Sequence, residues 1–423
     1  MYNSLDYNNQ NIEVIPQSKD KIIAINFENI NDYYRKGYFV FYNDSNELSC
    51  VLVKPSTISY IKRKYNNIIK FYSVTEKDLF SILEQSFSQL ITHKSQHYLS
   101  LVSKDVSAKT VDYKKMITGF LLLFTISLLF FSNLFHFANN AIYLAQNFFK
   151  MLLFKRSIAK NLNPPLPTFK KHEGKIPIYT IFVPLYKEVR KLRSIIRAID
   201  NLDYPKSKLD VKFIIEADDK ETIKALSIID LPRYIHVIKV PFSLPRTKPK
   251  AMNYATAYIK GDYLCIYDAE DKPDSDQLLK ALHAFKQLPE EYACVQARLN
   301  FYNSGENLLT RFFSMEYTLW FEYLLKGLDL YGLPITLGGT SNHFKVSVLK
   351  KIGYWDAYNV TEDADLGIRL YSKGYKVHII DSKTLEEAPI SLGNWLTQRT
   401  RWIKGFIQTI YIFFLSPKNY QVL

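Results

Sequence analysis

Three cysteines in 423 residues, Cys50, Cys265 and Cys294, are too few and too scattered for a disulfide framework or a Cys-rich zinc site, and they fit a reducing compartment. A glycine-rich phosphate loop is also missing: neither GxGxxG nor GxxxxGK occurs, so an ordinary dinucleotide fold and a P-loop have no anchor. The first residues carry neither the basic start nor the apolar core of a secretory signal. No helix-turn-helix, zinc-finger or aromatic RNA-reading signature accompanies the net charge of +14, which argues against a nucleic-acid partner. The lysines are interspersed along the whole chain, so part of their excess is compositional bias and not a patch.

The length allows two to three domains. Residues 1–110 read as a small α+β domain: a hairpin around a turn at 43–46, helical spacing at 55–65 and 75–90, and a strand at 68–72 between them. That ordering loosely resembles the amino-terminal module of type II secretion ATPases, and no site is carried over from it. Residues 111–157 read as a transmembrane hairpin. The uncharged run 116–135 is long enough for the ~30 Å hydrocarbon core, and 138–154 is a weaker second span that alternatively lies along the interface. Lys114 and Lys115 before the pair and Lys155 and Arg156 after it place both ends on the cytoplasmic side. A stiff basic linker, 158–175, follows.

From residue 176 to 405 strands alternate with helices, which implies an α/β domain with a mostly parallel sheet. Within it, the apolar strand 263–267 runs directly into Asp268, Glu270 and Asp271. Carboxylates at a strand's carboxyl end suit a hard cation that shares its ligands with a substrate's phosphates. The first strand ends at Pro184, Tyr186 and Glu188, and the second at Asp218 and Asp219, where a helix cap ahead of Lys220 is the competing role. Later come Thr361-Glu362-Asp363 and then Gln398, Arg401 and Trp402.

This ordered set resembles the family-two inverting glycosyltransferases of GT-A fold, specifically the processive membrane-bound branch that includes cellulose and hyaluronan synthases. The resemblance covers about residues 176–409. It implies a UDP-sugar donor, Mg²⁺ or Mn²⁺, and a β-linked product on a glycan or lipid acceptor. It implies that Pro184, Tyr186 and Glu188 wall the nucleotide, with Asp218 or Asp219 accepting from the base and Lys250 and Asn253 lining the site. Asp268 and Glu270 take the two acidic places of the family's DxD motif; because the second acid is Glu and Asp271 follows at once, either of these two meets the metal. By resemblance, Asp363 is the general base, while Gln398, Arg401 and Trp402 form the acceptor and diphosphate motif, with the indole offering a stacking face. Residues 308–330 read as an interface helix below a membrane. Synthases of this branch continue into further membrane helices, whereas residues 406–423 read as a shortened apolar tail. The expectation is therefore a product that leaves through a channel or secretion partner, or a shortened version that cannot translocate; the alternative to the enzyme is a non-catalytic or truncated membrane scaffold.

Overall fold

The computed structural model describes residues 30–42, 47–65, 68, 70–103, 106–130, 132–159 and 176–414. The expected turn at 43–46, the linker at 160–175 and the end of the tail at 415–423 lie outside the described residues.

The N-terminal unit begins with α1 (Ile30–Lys36) and β1 (Tyr38–Tyr42), which pairs antiparallel with β2 (Leu48–Leu52). α2 (Ile58–Lys64) is the crossover that a parallel neighbour requires, and β3 (Lys70–Ser73) then joins parallel to β2. α3 (Glu76–Val102) opens with a reciprocal cap: the Thr75 hydroxyl accepts from the Asp78 N–H, and the Asp78 carboxylate accepts from the Thr75 N–H. Its buried positions Leu79, Leu83, Phe87, Ile91, Ser95 and Leu99 form one stripe, which packs on β1 and on the C-terminal unit.

Residues 116–135 are not one helix. α4 (Tyr113–Phe130) and α5 (Ser132–Ala159) meet at a bend of 114°. The Ser132-Asn133 pair consists of residue types that favour starting a helix over continuing one. Among the described residues no single helix is long and apolar enough to cross a membrane, and only the bent pair passes that test together. The segment 138–154 is an internal part of α5, which also takes the first two residues of the expected linker. The end of α5 is held by the C-terminal unit: a Cβ at Gly327 would stand 2.6 Å from the Leu153 carbonyl oxygen, and the Phe154 and Tyr323 rings lie 4.7 Å apart. α4 is bare, with Phe120, Leu121, Leu123 and Leu129 all more than half exposed.

The C-terminal unit runs β4 (Tyr179–Leu185), α6 (Leu192–Asp200), β5 (Leu209–Glu216), α7 (Lys220–Ile228), β6 (Ile235–Val240), α8 (Lys248–Ala255), β7 (Tyr263–Ile266), β8 (Lys272–Pro273) and α9 (Gln277–Gln287). It continues with β9 (Tyr292–Phe301), α10 (Leu308–Tyr317), α11 (Leu325–Leu330), β10 (Asn342–Lys345), α12 (Val346–Lys351), α13 (Glu362–Ser372), β11 (Lys376–Glu386) and α14 (Leu392–Phe414). The eight strands order as β6-β5-β4-β7-β10-β9-β11-β8. The sheet is mostly parallel, as expected, with two reversed strands: β10 runs antiparallel between β7 and β9, and β8 antiparallel to β11. Strand alternation sends Ile181, Val183, Val211 and Phe213 to a face covered by Ile195, Ile199, Leu226 and Leu282, whereas Phe182, Ile214 and Ile266 face Met252 and the N-terminal unit.

Two further expectations change. Residues 308–330 contain a π-helical stretch, Thr318–Leu324, between α10 and α11. Residues 406–414 are no separate tail but the end of α14, where Ile412 and Phe413 are buried against Leu99, Val106 and Ala108.

The N-terminal unit is pinned to the sheet by a buried lysine. Lys212 of β5 is inaccessible, pairs with Asp210 at 2.6 Å and donates to the Tyr34 hydroxyl of α1 at 2.9 Å. Burial pushes the Lys212 ammonium below the usual lysine range, against the pull of Asp210. Asp210→Ala would strand that ammonium and is expected to cost about 3–5 kcal/mol. The check is a lowered denaturant midpoint at unchanged slope; a loss below about 1 kcal/mol would show that the pair does not hold the joint.

Candidate active site

β5, β4 and β7 are adjacent and parallel, with Leu185 opposite Ile215 and Phe182 opposite Ile266, so their carboxyl ends form one edge. Ligands of open α/β sheets bind outside such an edge. Three acidic segments from distant parts of the chain meet there because the strands ahead of them are neighbours.

Pro184 sits half-buried near the end of β4, and Tyr186, beyond it, is 45% exposed. The Arg246 guanidinium lies 4.5 Å over the Tyr186 ring and donates to Asp218 at 2.7 Å. Lys187 adopts a left-handed backbone (φ 59°), which aims its N–H at the Asp219 carboxylate 2.6 Å away. Asp219 also caps α7 through the Thr222 N–H. Burial would raise this carboxyl, but the hydrogen bonds from Lys187 and Thr222 hold it below its ordinary value. Asp219 therefore shapes the loop, while Asp218 carries the outward contact.

Lys250 and Asn253 do not line the cleft. Lys250 is fully buried in an ion pair with Glu216 at 2.9 Å. Asn253 donates to the carbonyls of Ser95 and Trp355 and accepts from the Trp355 N–H, so it ties α8 to α3. The cleft's lysine is Lys248, whose Nζ lies 2.5 Å from Asp268 and 3.0 Å from the Gly339 carbonyl oxygen. Positions two apart on a helix point about 200° apart, so only one of Lys248 and Lys250 can face the site.

Asp268 is half-buried. Asp271 turns inward: it is fully buried, accepts from the Asp268 N–H at 2.7 Å and from the Thr340 hydroxyl, and leaves its Oδ1 without a partner. Burial, then Asp268, drives its carboxyl well above the usual carboxylate range. Glu270 is pushed up to about 7 by burial, then by Asp268 and Glu188. Glu188 is likewise raised, first by burial, although Lys191 opposes the shift. A fifth carboxylate joins them: Glu386, at the end of β11, is raised by burial and then by Asp271, Asp268 and Glu270. Nothing local in the sequence marks Glu386; only the pairing of β11 with β8 brings it here. An all-oxygen cluster of one sign, with an orphaned buried carboxylate oxygen, fits Mg²⁺ or Mn²⁺. Among the described residues no three acidic, His or Cys side chains are already set to enclose a metal.

The second half of the site comes from α13 and α14. Asp363, at the start of α13, lies against the glycine loop, where a Cβ at Gly339 would be 3.6 Å from its Oδ2. Burial raises the Asp363 carboxyl, opposed by the Ala364 N–H, Lys248 and Arg401. For Lys248, burial disfavours the ammonium, yet Asp268, Glu362 and Asp363 outweigh it and hold the pKa above the ordinary lysine value. One ammonium thus spans the two acidic motifs. α14 docks on the segment just ahead of α13 at Gly405, where any Cβ would overlap the Thr361 side chain. Gln408 accepts from the Val360 N–H at 3.1 Å, and Thr409 bonds Asn359.

Arg401 is exposed within electrostatic reach of Asp363, and Gln398 keeps a buried Oε1 without a hydrogen-bond partner. The Trp402 indole is less free than a stacking platform requires. It packs near Phe313 and Tyr317, and the Arg399 guanidinium lies 4.8 Å over its ring. Arg399, overlooked in the sequence, also pairs with Glu316 and so fastens α14 to α10.

Residues 263–422 match the model of glycosyl transferase family group 2. The probable glycosyltransferase YdaM of Bacillus subtilis (strain 168) is 28% identical over 247 residues, and the match covers 57% of this chain and 58% of that protein's length. Among solved structures, the mannosyltransferase PcManGT from Pyrobaculum calidifontis in complex with GDP-Man and Mn2+ superposes with a TM-score of 0.48 at 18% identity, covering 67% of this chain and 82% of that one. S. aureus TarS 1-349 in complex with UDP-GlcNAc gives a TM-score of 0.36 at 12% identity, covering 54% and 66%.

Glu362 supplies a pH test. It is 8% exposed and is pushed up to about 7 by burial and then by Asp363. A carboxyl whose folded pKa exceeds its unfolded value favours folding below the unfolded pKa, and that contribution is lost as pH rises through the folded one. Glu362→Gln is therefore expected to match the parent protein near pH 4.5 and to exceed its stability by about 3 kcal/mol at pH 8. Thermal unfolding at the two pH values decides it, and a pH-independent difference would contradict the assignment.

Proposed function

We propose that this chain is a membrane-anchored inverting glycosyltransferase that moves a sugar from a UDP-sugar to a hydroxyl of a glycan or lipid acceptor, forming a β-linkage. The observation that carries the reading is Lys248, whose ammonium bonds Asp268 at the strand edge and feels Glu362 and Asp363 from the loop beneath α14. Donor and acceptor motifs then fall within reach of one ammonium.

In this mechanism Tyr186, Arg246 and Asp218 wall the nucleotide. Asp363 takes the proton of the acceptor hydroxyl as its oxygen attacks the anomeric carbon. The bond to the diphosphate breaks on the opposite face, so configuration inverts, and Lys248 and Arg401 offset the charge on the departing group. Mg²⁺ or Mn²⁺, held by Asp268 with Glu270 or Asp271, would supply further charge neutralisation to the diphosphate. The bare apolar side chains of α4 and the apolar outer residues of α5, such as Ile142 and Met151, support anchoring in a bilayer. The basic residues flanking that pair favour a cytoplasmic catalytic face.

Purified full-length chain, assayed across a panel of UDP- and GDP-sugars with and without Mn²⁺, is expected to turn over one donor and to lose turnover on chelation. Asp363→Asn should lower turnover by about 10²–10⁴-fold while keeping donor binding. Full activity in Asp363→Asn, or no turnover of any donor, would remove the reading.

A further inference from the structure

We infer that the joint between the N-terminal unit and the sheet is a second binding site, separate from the strand-edge cleft, for a small phosphate-bearing ring compound. A cavity of about 250 Å³ lies at that joint. Both units wall it: Asn31, Lys94 and Tyr98 on one side, Asn253, Lys350 and Tyr354 on the other. Ligand sites concentrate at such domain boundaries.

The lining chooses the class of ligand. Among the described residues two lysines and no carboxylate line the cavity, so their field favours an anion. Lysine presents its charge as a compact point donor, which suits a phosphate. Tyr98 and Tyr354 stand with ring centroids 5.5 Å apart and planes at 49°, offering flat apolar surface for a ring. The volume falls just under the ~300–1,000 Å³ usual for small-molecule sites. That size suits a monosaccharide phosphate or a mononucleotide.

The position of the cavity links it to the proposed chemistry, and this second step rests on the glycosyltransferase reading. Asn253 belongs to the same eight-residue helix as Lys248. Its side chain grips both backbone groups of Trp355. Tyr354, just before it, holds a left-handed backbone (φ 58°), a conformation bulky residues seldom adopt. The segment it opens runs through buried Asp356, which accepts from the Tyr358 N–H at 3.0 Å and the Ala108 N–H, to Thr361 and Asp363. An occupant wedged between the units therefore bears on the helix of Lys248 and on the loop of Asp363 together.

Equilibrium dialysis of the full chain against UMP, glucose 1-phosphate and inorganic phosphate tests the site. The proteins compared are the parent, the Lys94→Gln/Lys350→Gln double variant and Lys248→Gln. We expect UMP or glucose 1-phosphate to bind the parent and Lys248→Gln alike, and the double variant about tenfold more weakly. Inorganic phosphate should bind poorly to all three, and donor turnover without added ring phosphate should be unchanged in the double variant. Binding lost in Lys248→Gln but kept in the double variant would place the compound in the strand-edge cleft and overturn the inference, as would no binding of either compound. Because dialysis needs no turnover, the site can stand even where the glycosyltransferase reading fails. Binding that leaves turnover unaltered upholds the site and overturns the coupling.

Discussion

One ammonium in a field of carboxylates organises the C-terminal unit. Lys248 stands at the start of α8, where Thr247 caps the helix, and reaches Asp268 on one side and the loop of Glu362 and Asp363 on the other. Remove that charge and the edge holds Glu188, Asp268, Glu270, Asp271 and Glu386 with mutual repulsion and little to offset it. Buried like charges neutralise by protonation or by gathering a cation. Glu270, held near 7, sits at the balance point between the two. A site in this state is poised for an incoming cation and polyanion together, since each relieves what the other would cost alone.

Such an arrangement needs rigid support, and the N-terminal unit provides part of it. The unit contacts both the helix of Lys248 and the segment that leads to Asp363. Asn253 joins α8 to α3, and Asp356 clamps the Ala108 N–H to the segment ahead of Asp363. Lys212 and Tyr34 fasten α1 to β5. These are buried polar ties, whose partial loss is costly because it leaves groups unsatisfied. The unit thus acts as a brace on the face of the sheet opposite α6 and α9, and not as a module tethered through α4 and α5 alone.

Much of this was legible in the sequence, and the rest was hidden for identifiable reasons. The apolar strand ending in Asp268 is marked by composition and punctuation within nine residues, as is the helix that carries Gln398 to Trp402. The choice between Lys248 and Lys250 was not, because it depends on which side of α8 faces the strand edge, a tertiary fact. Asn253 has a residue type suited to a ligand contact, yet its amide is consumed by backbone groups of α3 and of Trp355. Glu386 carries no local signal, since a strand pairing delivers it. The reversed strand β10 was also invisible: a four-residue strand has too few positions to declare its direction. The break after α4 was overlooked because an uncharged run satisfies a hydropathy count whether or not the backbone continues straight.

The exposed apolar residues bear on how an acceptor would arrive. Phe312 and Met315 on α10, and Ile403, Phe406 and Ile410 on α14, are bare. These two helices are joined through Arg399 and Glu316 and through the contact of Phe313 with Trp402. α5 packs on α11 and on the π-helical stretch that continues α10. α5 therefore lies beside the stretch that continues α10, although the two are far apart in the chain. Exposed apolar surface of this kind marks a contact surface, and Gln398 and Arg401 lie on the same helix α14. On the membrane-anchored reading, the bilayer would then lie beside the acceptor entrance and away from the nucleotide wall at Tyr186. A charged, soluble donor would enter from water while an acceptor attached to or crossing the membrane entered from the lipid side, so the two substrates would not compete for one path.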